Sequence, residues 1–155
     1  PDLAVIPNVV EPSHPRTQFD VQQEQTRPRF VLEVTSPTFA SLDLYDKVAL
    51  YAQAGVAEYV VVDLGQEPAN PLRILGYRLQ DGHYLPIAPD EQGRLLSATN
   101  RLWLAPNPDG HGLCLLDQRT GQQIIPEPDY EHVSTTALGQ AALRASSIAA
   151  QLRIE

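Results

Sequence analysis

Three side chains in the first third of the chain are of types that can work together: the carboxylates of Asp2 and Glu33 and the amine of Lys47, the sole lysine in the sequence. Two acids from neighbouring strands can share a hard divalent cation such as Mg²⁺ or Mn²⁺, which prefers oxygen ligands and keeps part of its water shell. An ammonium a few ångströms away can position or deprotonate one of those waters and offset charge as a phosphate ester is attacked. The requirement is geometric: the acids must converge, with the amine beside them. The plain alternatives are a structural Glu33–Lys47 ion pair and a solvated strand end at Asp2.

The elements that must position these groups run from Arg29 to Asp63. Phe30-Val31-Leu32-Glu33-Val34 is apolar apart from its one acid, the pattern of a strand buried on both faces. A glutamate in such a strand is costly to bury without a cation, a metal or a proton. Ser36-Pro37 ends the strand, and Thr38 or Ser41 is the expected N-cap of a helix. On that helix Asp43, Lys47 and Tyr51 follow at i, i+4 and i+8, which stacks them on one face. Asp43 with Lys47 reads as an exposed helix pair worth a few tenths of a kcal/mol, or as an acid that orients the lysine. Gly55 suits the position after the helix. Tyr59 to Val62 is a second buried strand closed by Asp63, so the stretch predicts a parallel strand–helix–strand crossover. Tyr51 and Tyr59 read as core aromatics.

Composition bounds the rest. The 155 residues are 43% apolar and 19% charged, which fits one soluble domain with a real core. No apolar run approaches a membrane span and no signal-peptide pattern opens the chain, so a cytoplasmic protein with no membrane partner is expected. One cysteine, Cys114, excludes an internal disulfide and a cysteine-based zinc site, and its apolar setting predicts a buried thiol. The formal charge of −8 argues against a general nucleic-acid-binding surface. With no methionine and a start at Pro1-Asp2, the chain reads as a domain taken from a longer protein.

Around the crossover, Asp2 to Ile6 is a short strand. A proline-bearing connection follows, with a short helix or edge strand near Phe19 to Gln23. Leu72 to Gln80 and His83 to Ile87 form a hairpin on the Asp81-Gly82 turn. Leu95 to Leu104, Leu113 to Leu116 and Gln123 to Ile125 are further strands, expected as antiparallel additions in a curled sheet. Thr135 to Ile154 has a helical apolar stripe. The expected domains are residues 1–130 and a C-terminal helix over 131–155, packing on the domain or on a partner. His14, His83, His111 and His132 lack metal-ligand spacing and read as surface residues, and Trp103 as a core or interface residue.

Pro1-Asp2 followed by Glu33-Val34-Thr35 is similar to the PD-(D/E)XK signature of restriction-endonuclease-like nucleases. The longer pattern is Glu33-Val34-Thr35-Ser36-Pro37, then Asp43, Lys47, Tyr51, Gly55-Val56, Glu58-Tyr59 and Asp63. It resembles the Uma-two family of endonucleases in that superfamily. The resemblance covers residues 1–63. It implies an α/β, restriction-endonuclease-like mixed sheet with added hairpins, and a metal held by Asp2 and Glu33 with the Val34 carbonyl. Lys47 would replace the motif lysine from the helix, with Asp2, Glu33 and Lys47 as the catalytic set. Two departures stand out. Thr35 occupies the place of the motif lysine, and the family's upstream helix and strand lie outside this sequence.

The expected function is therefore a Mg²⁺- or Mn²⁺-dependent endonuclease acting on phosphodiester bonds, with DNA as partner and Arg16, Arg27 and Arg29 lining its groove. The rival is an inactive nuclease-fold module that binds protein or nucleic acid. A third reading is a hydrolase of another phosphate ester. A homo-oligomer would form through the sheet edge or the C-terminal helix.

Overall fold

The computed structural model describes residues 1–11, 18–35, 46–63, 72–108 and 112–125. Its centre is the predicted crossover. Strand β2 (Phe30–Thr35) leads through helix α2 (Lys47–Gln53) to strand β3 (Glu58–Asp63), and the two strands pair in parallel, Phe30 beside Glu58 and Thr35 beside Asp63. Both strands are buried along almost their whole length, as their apolar runs require.

α2 ends as its sequence dictates. Gly55 has φ +74°, the Gly55 N–H donates to the Ala52 carbonyl, and the Val56 N–H donates to the Tyr51 carbonyl. This pair of reversed bonds satisfies two orphan carbonyls and needs a left-handed residue, for which glycine carries no Cβ penalty. The expected N-caps, Thr38 and Ser41, and Asp43 lie outside the described residues.

On one side of the crossover, β1 (Leu3–Val5) pairs antiparallel with β2. On the other, β4 (Arg73–Gln80) and β5 (His83–Ile87) extend the same sheet as an antiparallel hairpin, giving the order β1-β2-β3-β4-β5. Asp81 and Gly82 at its turn have φ of +49° and +82°, the positive pair that a tight hairpin needs. The short helix α1 (Val21–Glu24) is capped by Asp20, whose Oδ1 accepts from the Gln22 and Gln23 N–H groups.

The later strands differ from expectation. They do not curl onto the first sheet but form a second, three-stranded antiparallel sheet: β6 (Leu95–Ser97), β7 (Leu102–Pro106) and β8 (Leu113–Asp117). The run from Leu95 to Leu104 is broken by a turn through residues 98–101, where Arg101 takes φ +56°. Residues Gln123 to Ile125 contribute a single bridge, Gln123 to Leu116. The fold is thus mixed α/β, dominated by strands.

Each face of the five-stranded sheet has its own core. Phe30, Leu32, Val60, Val62 and Ile74 pack against Leu95, Leu102, Leu104 and Leu115 of the second sheet. Val31, Tyr59 and Val61 pack on the opposite face with Val48 and Tyr51 of α2. Cys114 is buried, as expected, and burial pushes its thiol pKa up. His83 is exposed at the hairpin, while His14, His111, His132 and the whole segment 126–155, with the expected domain boundary and C-terminal helix, lie outside the described residues. No helix among the described residues is long and apolar enough to cross a membrane.

The two sheets come close together at Gly76. A Cβ there would stand 2.3 Å from Leu95 Cδ1 and 3.0 Å from Leu95 Cδ2. Gly76→Ala therefore wedges the layers apart, with an expected loss of about 1–3 kcal/mol, the usual cost of overpacking. Urea unfolding of the variant checks this.

Candidate active site

Glu33 sits in the middle of β2 with its side chain 6% exposed. Side chains alternate along a strand, so Val31, Glu33 and Thr35 share the face that carries α2. Because β2 and α2 are joined in one crossover, the first turns of α2 lie over this acid. Lys47 Nζ stands 2.9 Å from Glu33 Oε1, and the Tyr51 hydroxyl donates to the same oxygen at 3.0 Å. The i, i+4 spacing of Lys47 and Tyr51 is what aims both at one atom. The lysine side chain is 26% exposed, so the pair is buried on the strand side and reached by water from the helix side.

Asp2 comes from the other direction. β1 pairs with β2 with Leu3 opposite Leu32, and one further step of that register sets Asp2 opposite Glu33. Asp2 Oδ2 accepts the Val34 N–H at 2.7 Å, which folds this carboxylate onto the β2 backbone next to Glu33. Pro1 N lies 3.5 Å from Glu33 Oε1, a measure of how near the start of β1 comes to the acid. The three residues expected from the sequence are therefore gathered at one place. Asp2 is exposed, so the cluster opens to solvent.

Two carboxylates and water are a donor set suited to Mg²⁺ or Mn²⁺, which need one or two acids rather than a full protein cage. No group of three or more His, Cys, Asp or Glu among the described residues could hold a metal. Asp2 and Glu33 alone are too few donors for a closed structural site. Thr35, at the motif-lysine position, is buried and offers no amine.

Tyr51 corrects its reading as a purely core aromatic. Its ring does pack on Tyr59, with centroids 4.9 Å apart, but its hydroxyl belongs to the Glu33 cluster. The helical spacing from Lys47 was the available signal. Tyr59 is fully buried and packs with the rings of Tyr77 and Tyr84, as a core residue should.

Two of the three arginines expected to line the groove, Arg27 and Arg29, do not reach it. Arg27 lies against Gly55 at the C-terminal end of α2, its Nη1 occupying the place a Cβ would take. Arg29 precedes β2, and its carbonyl accepts the Glu58 N–H, at the end of the strand away from the acids. Arg16 lies outside the described residues.

A second buried carboxylate was not foreseen as structural. Glu58, 1% exposed, faces the second sheet. Its Oε1 accepts from Arg78 Nε at 3.0 Å and the Ala98 N–H at 3.1 Å, while its Oε2 accepts from the Ser97 hydroxyl at 2.6 Å and the Thr99 N–H at 3.4 Å. Arg78 also donates to the Leu96 carbonyl, so this acid ties both sheets together. Burial and the Glu58 charge push the Tyr84 phenol pKa up, and the protonated hydroxyl donates to the Val56 carbonyl.

A family model described as "Uma2: Putative restriction endonuclease" matches residues 1–106. The chain belongs to this family. Its match extends through both β2 and β3 and across the second-sheet strands β6 and β7, beyond the stretch that carried the resemblance. No curated protein and no solved structure matches the chain.

The two buried acids differ in what holds them, and this predicts opposite mutational behaviour. Glu58→Gln disrupts an inter-sheet network and is expected to cost about 3 kcal/mol or more of stability, as for a broken buried pair. Glu33→Gln keeps the Tyr51 hydrogen bond beside a lysine open to water, and should cost much less. Paired urea-unfolding curves compare the two.

Proposed function

We propose that this chain is a divalent-metal-dependent endonuclease that hydrolyses phosphodiester bonds in DNA, on a restriction-endonuclease-like sheet. The observation that carries the reading is the Lys47–Glu33 contact at 2.9 Å beside Asp2, on the α2 face of a buried strand, in a chain of this family. Asp2 and Glu33 would hold the cation, with the Val34 carbonyl as a further oxygen. Bound there, Mg²⁺ or Mn²⁺ supplies Lewis acidity toward the phosphate and lowers the pKa of water.

The remaining work falls to the chain itself. The Tyr51 hydroxyl and the Lys47 ammonium fix Glu33 Oε1 from one side, so the carboxylate need not reorganise as charge develops. Lys47 keeps a solvent-facing side from which its N–H donors can steady an attacking water or the oxygens of the phosphate. This does from the helix what a lysine at the Thr35 position would do from the strand. The Val34 N–H restrains Asp2 through Oδ2. The contact that occupies Glu33 Oε1 also favours a second reading, in which the family fold is kept as a binding module and the pair is structural.

Cleavage of supercoiled plasmid in Mn²⁺ separates the two. Wild type should nick it, and Glu33→Gln and Lys47→Ala should each lose about 10²- to 10³-fold in rate while remaining folded, the scale of removing a charge-stabilising group. Cleavage retained by both variants overturns the assignment of the site, and a folded wild type that never cleaves supports the binding module.

A further inference from the structure

One row beyond Glu33 the sheet carries a second charged group on the same face. Thr35 of β2 lies beside Asp63 of β3, and Asp63 beside Arg73 of β4. Residues paired across strands share a face, as do residues two apart on one strand, so Glu33, Asp63 and Arg73 all look toward the α2 side. Arg73 Nε and Nη2 donate to Asp63 Oδ2 at 3.2 and 2.5 Å. Two strand spacings across and two residues along place the Arg73 Cα about 12 Å from that of Glu33.

The pair is asymmetric. The Asp63 side chain is 14% exposed, whereas that of Arg73 is 56% exposed. The half-buried acid holds two of the five N–H donors of the guanidinium, so the fork is oriented while much of it faces water. An oriented guanidinium loses less entropy on binding an anion than a free one and matches phosphate geometry. The other described arginines are placed elsewhere. Arg27 and Arg29 lie at the far end of the sheet, Arg78 is bound to Glu58, Arg94 to Asp90, and Arg101 and Arg119 stand on turns of the second sheet.

We propose that Arg73, held by Asp63, contacts a backbone phosphate of a DNA strand whose scissile phosphate lies at Glu33 and Lys47. This rests on the nuclease reading above. It also answers how a chain of charge −8 keeps hold of a polyanion at this edge: the contact is one oriented cation beside the site, not a broad basic surface.

The test measures binding of a fluorescent duplex oligonucleotide by anisotropy in EDTA, between 50 and 200 mM salt, beside hydrolysis of bis(p-nitrophenyl) phosphate in Mn²⁺. That small diester cannot span from Glu33 to Arg73. Arg73→Gln should weaken duplex binding and reduce the slope of log K against log salt by about 0.9, the value of one lost phosphate contact. The remote Arg119→Gln should keep the wild-type slope, and small-diester turnover should be unchanged in both. If Arg73→Gln does not fold, the double variant Asp63→Asn/Arg73→Gln, which removes the acid deprived of this partner, is read in the same way. A wild-type slope in the folded variant, with the small diester still hydrolysed, overturns the contact and leaves the nuclease reading standing. A wild type that hydrolyses the diester without binding the duplex does the same. A wild type that does neither overturns both.

Discussion

A carboxylate in the middle of a buried strand sets the terms for this structure. Desolvating the charge of Glu33 costs several kcal/mol unless it is compensated locally. The compensation comes from the element that the chain must place there. A parallel β2–β3 pair requires a crossover, and the crossover helix brings Lys47 and Tyr51 over the same oxygen. Fold and charge balance are thus one arrangement: the helix that the parallel pair requires also sets Lys47 Nζ and the Tyr51 hydroxyl on the buried acid, beside the Pro1 amino group.

The five-stranded sheet divides its work by face. Toward the second sheet lies the larger apolar core, closed by Glu58 with hydrogen bonds from Arg78, Ser97 and two backbone N–H groups. Two of those donors are backbone groups, and the acid is sealed, which suits rigidity. Toward α2 lie Glu33, held by Lys47 and Tyr51, Asp2, held by the Val34 N–H, and the Asp63–Arg73 pair, and water reaches Asp2, Lys47 and Arg73. Two glutamates on adjacent strands, both buried, therefore serve different ends because their neighbours differ.

Much of this was legible in the residues. The unbroken apolar runs of β2 and β3, the helical spacing of Lys47 and Tyr51, Gly55 and the Asp81-Gly82 turn each have a local physical cause, and each appears where that cause puts it. Asp2 beside Glu33 followed from the motif. What was not legible depends on contacts distant in sequence. The second sheet arises because Leu95, Leu102, Leu104 and Leu115 find the open face of β2–β4, and no local pattern separates that from one curled sheet. The role of Glu58 needs residues some forty positions later. Among the described arginines, Arg73 and not Arg27 or Arg29 stands toward the acids' end of the sheet, because strand register, not nearness in sequence, decides which end a side chain occupies.

The most direct test of the central claim is calorimetric titration of Mn²⁺ into the wild-type chain and into Glu33→Gln. Two carboxylates converging beside Lys47 predict measurable binding by the wild type that is lost in the variant, with both proteins folded. Equal binding by the two would place the metal away from Glu33, and no binding by folded wild type would remove the metal site; either result contradicts the account.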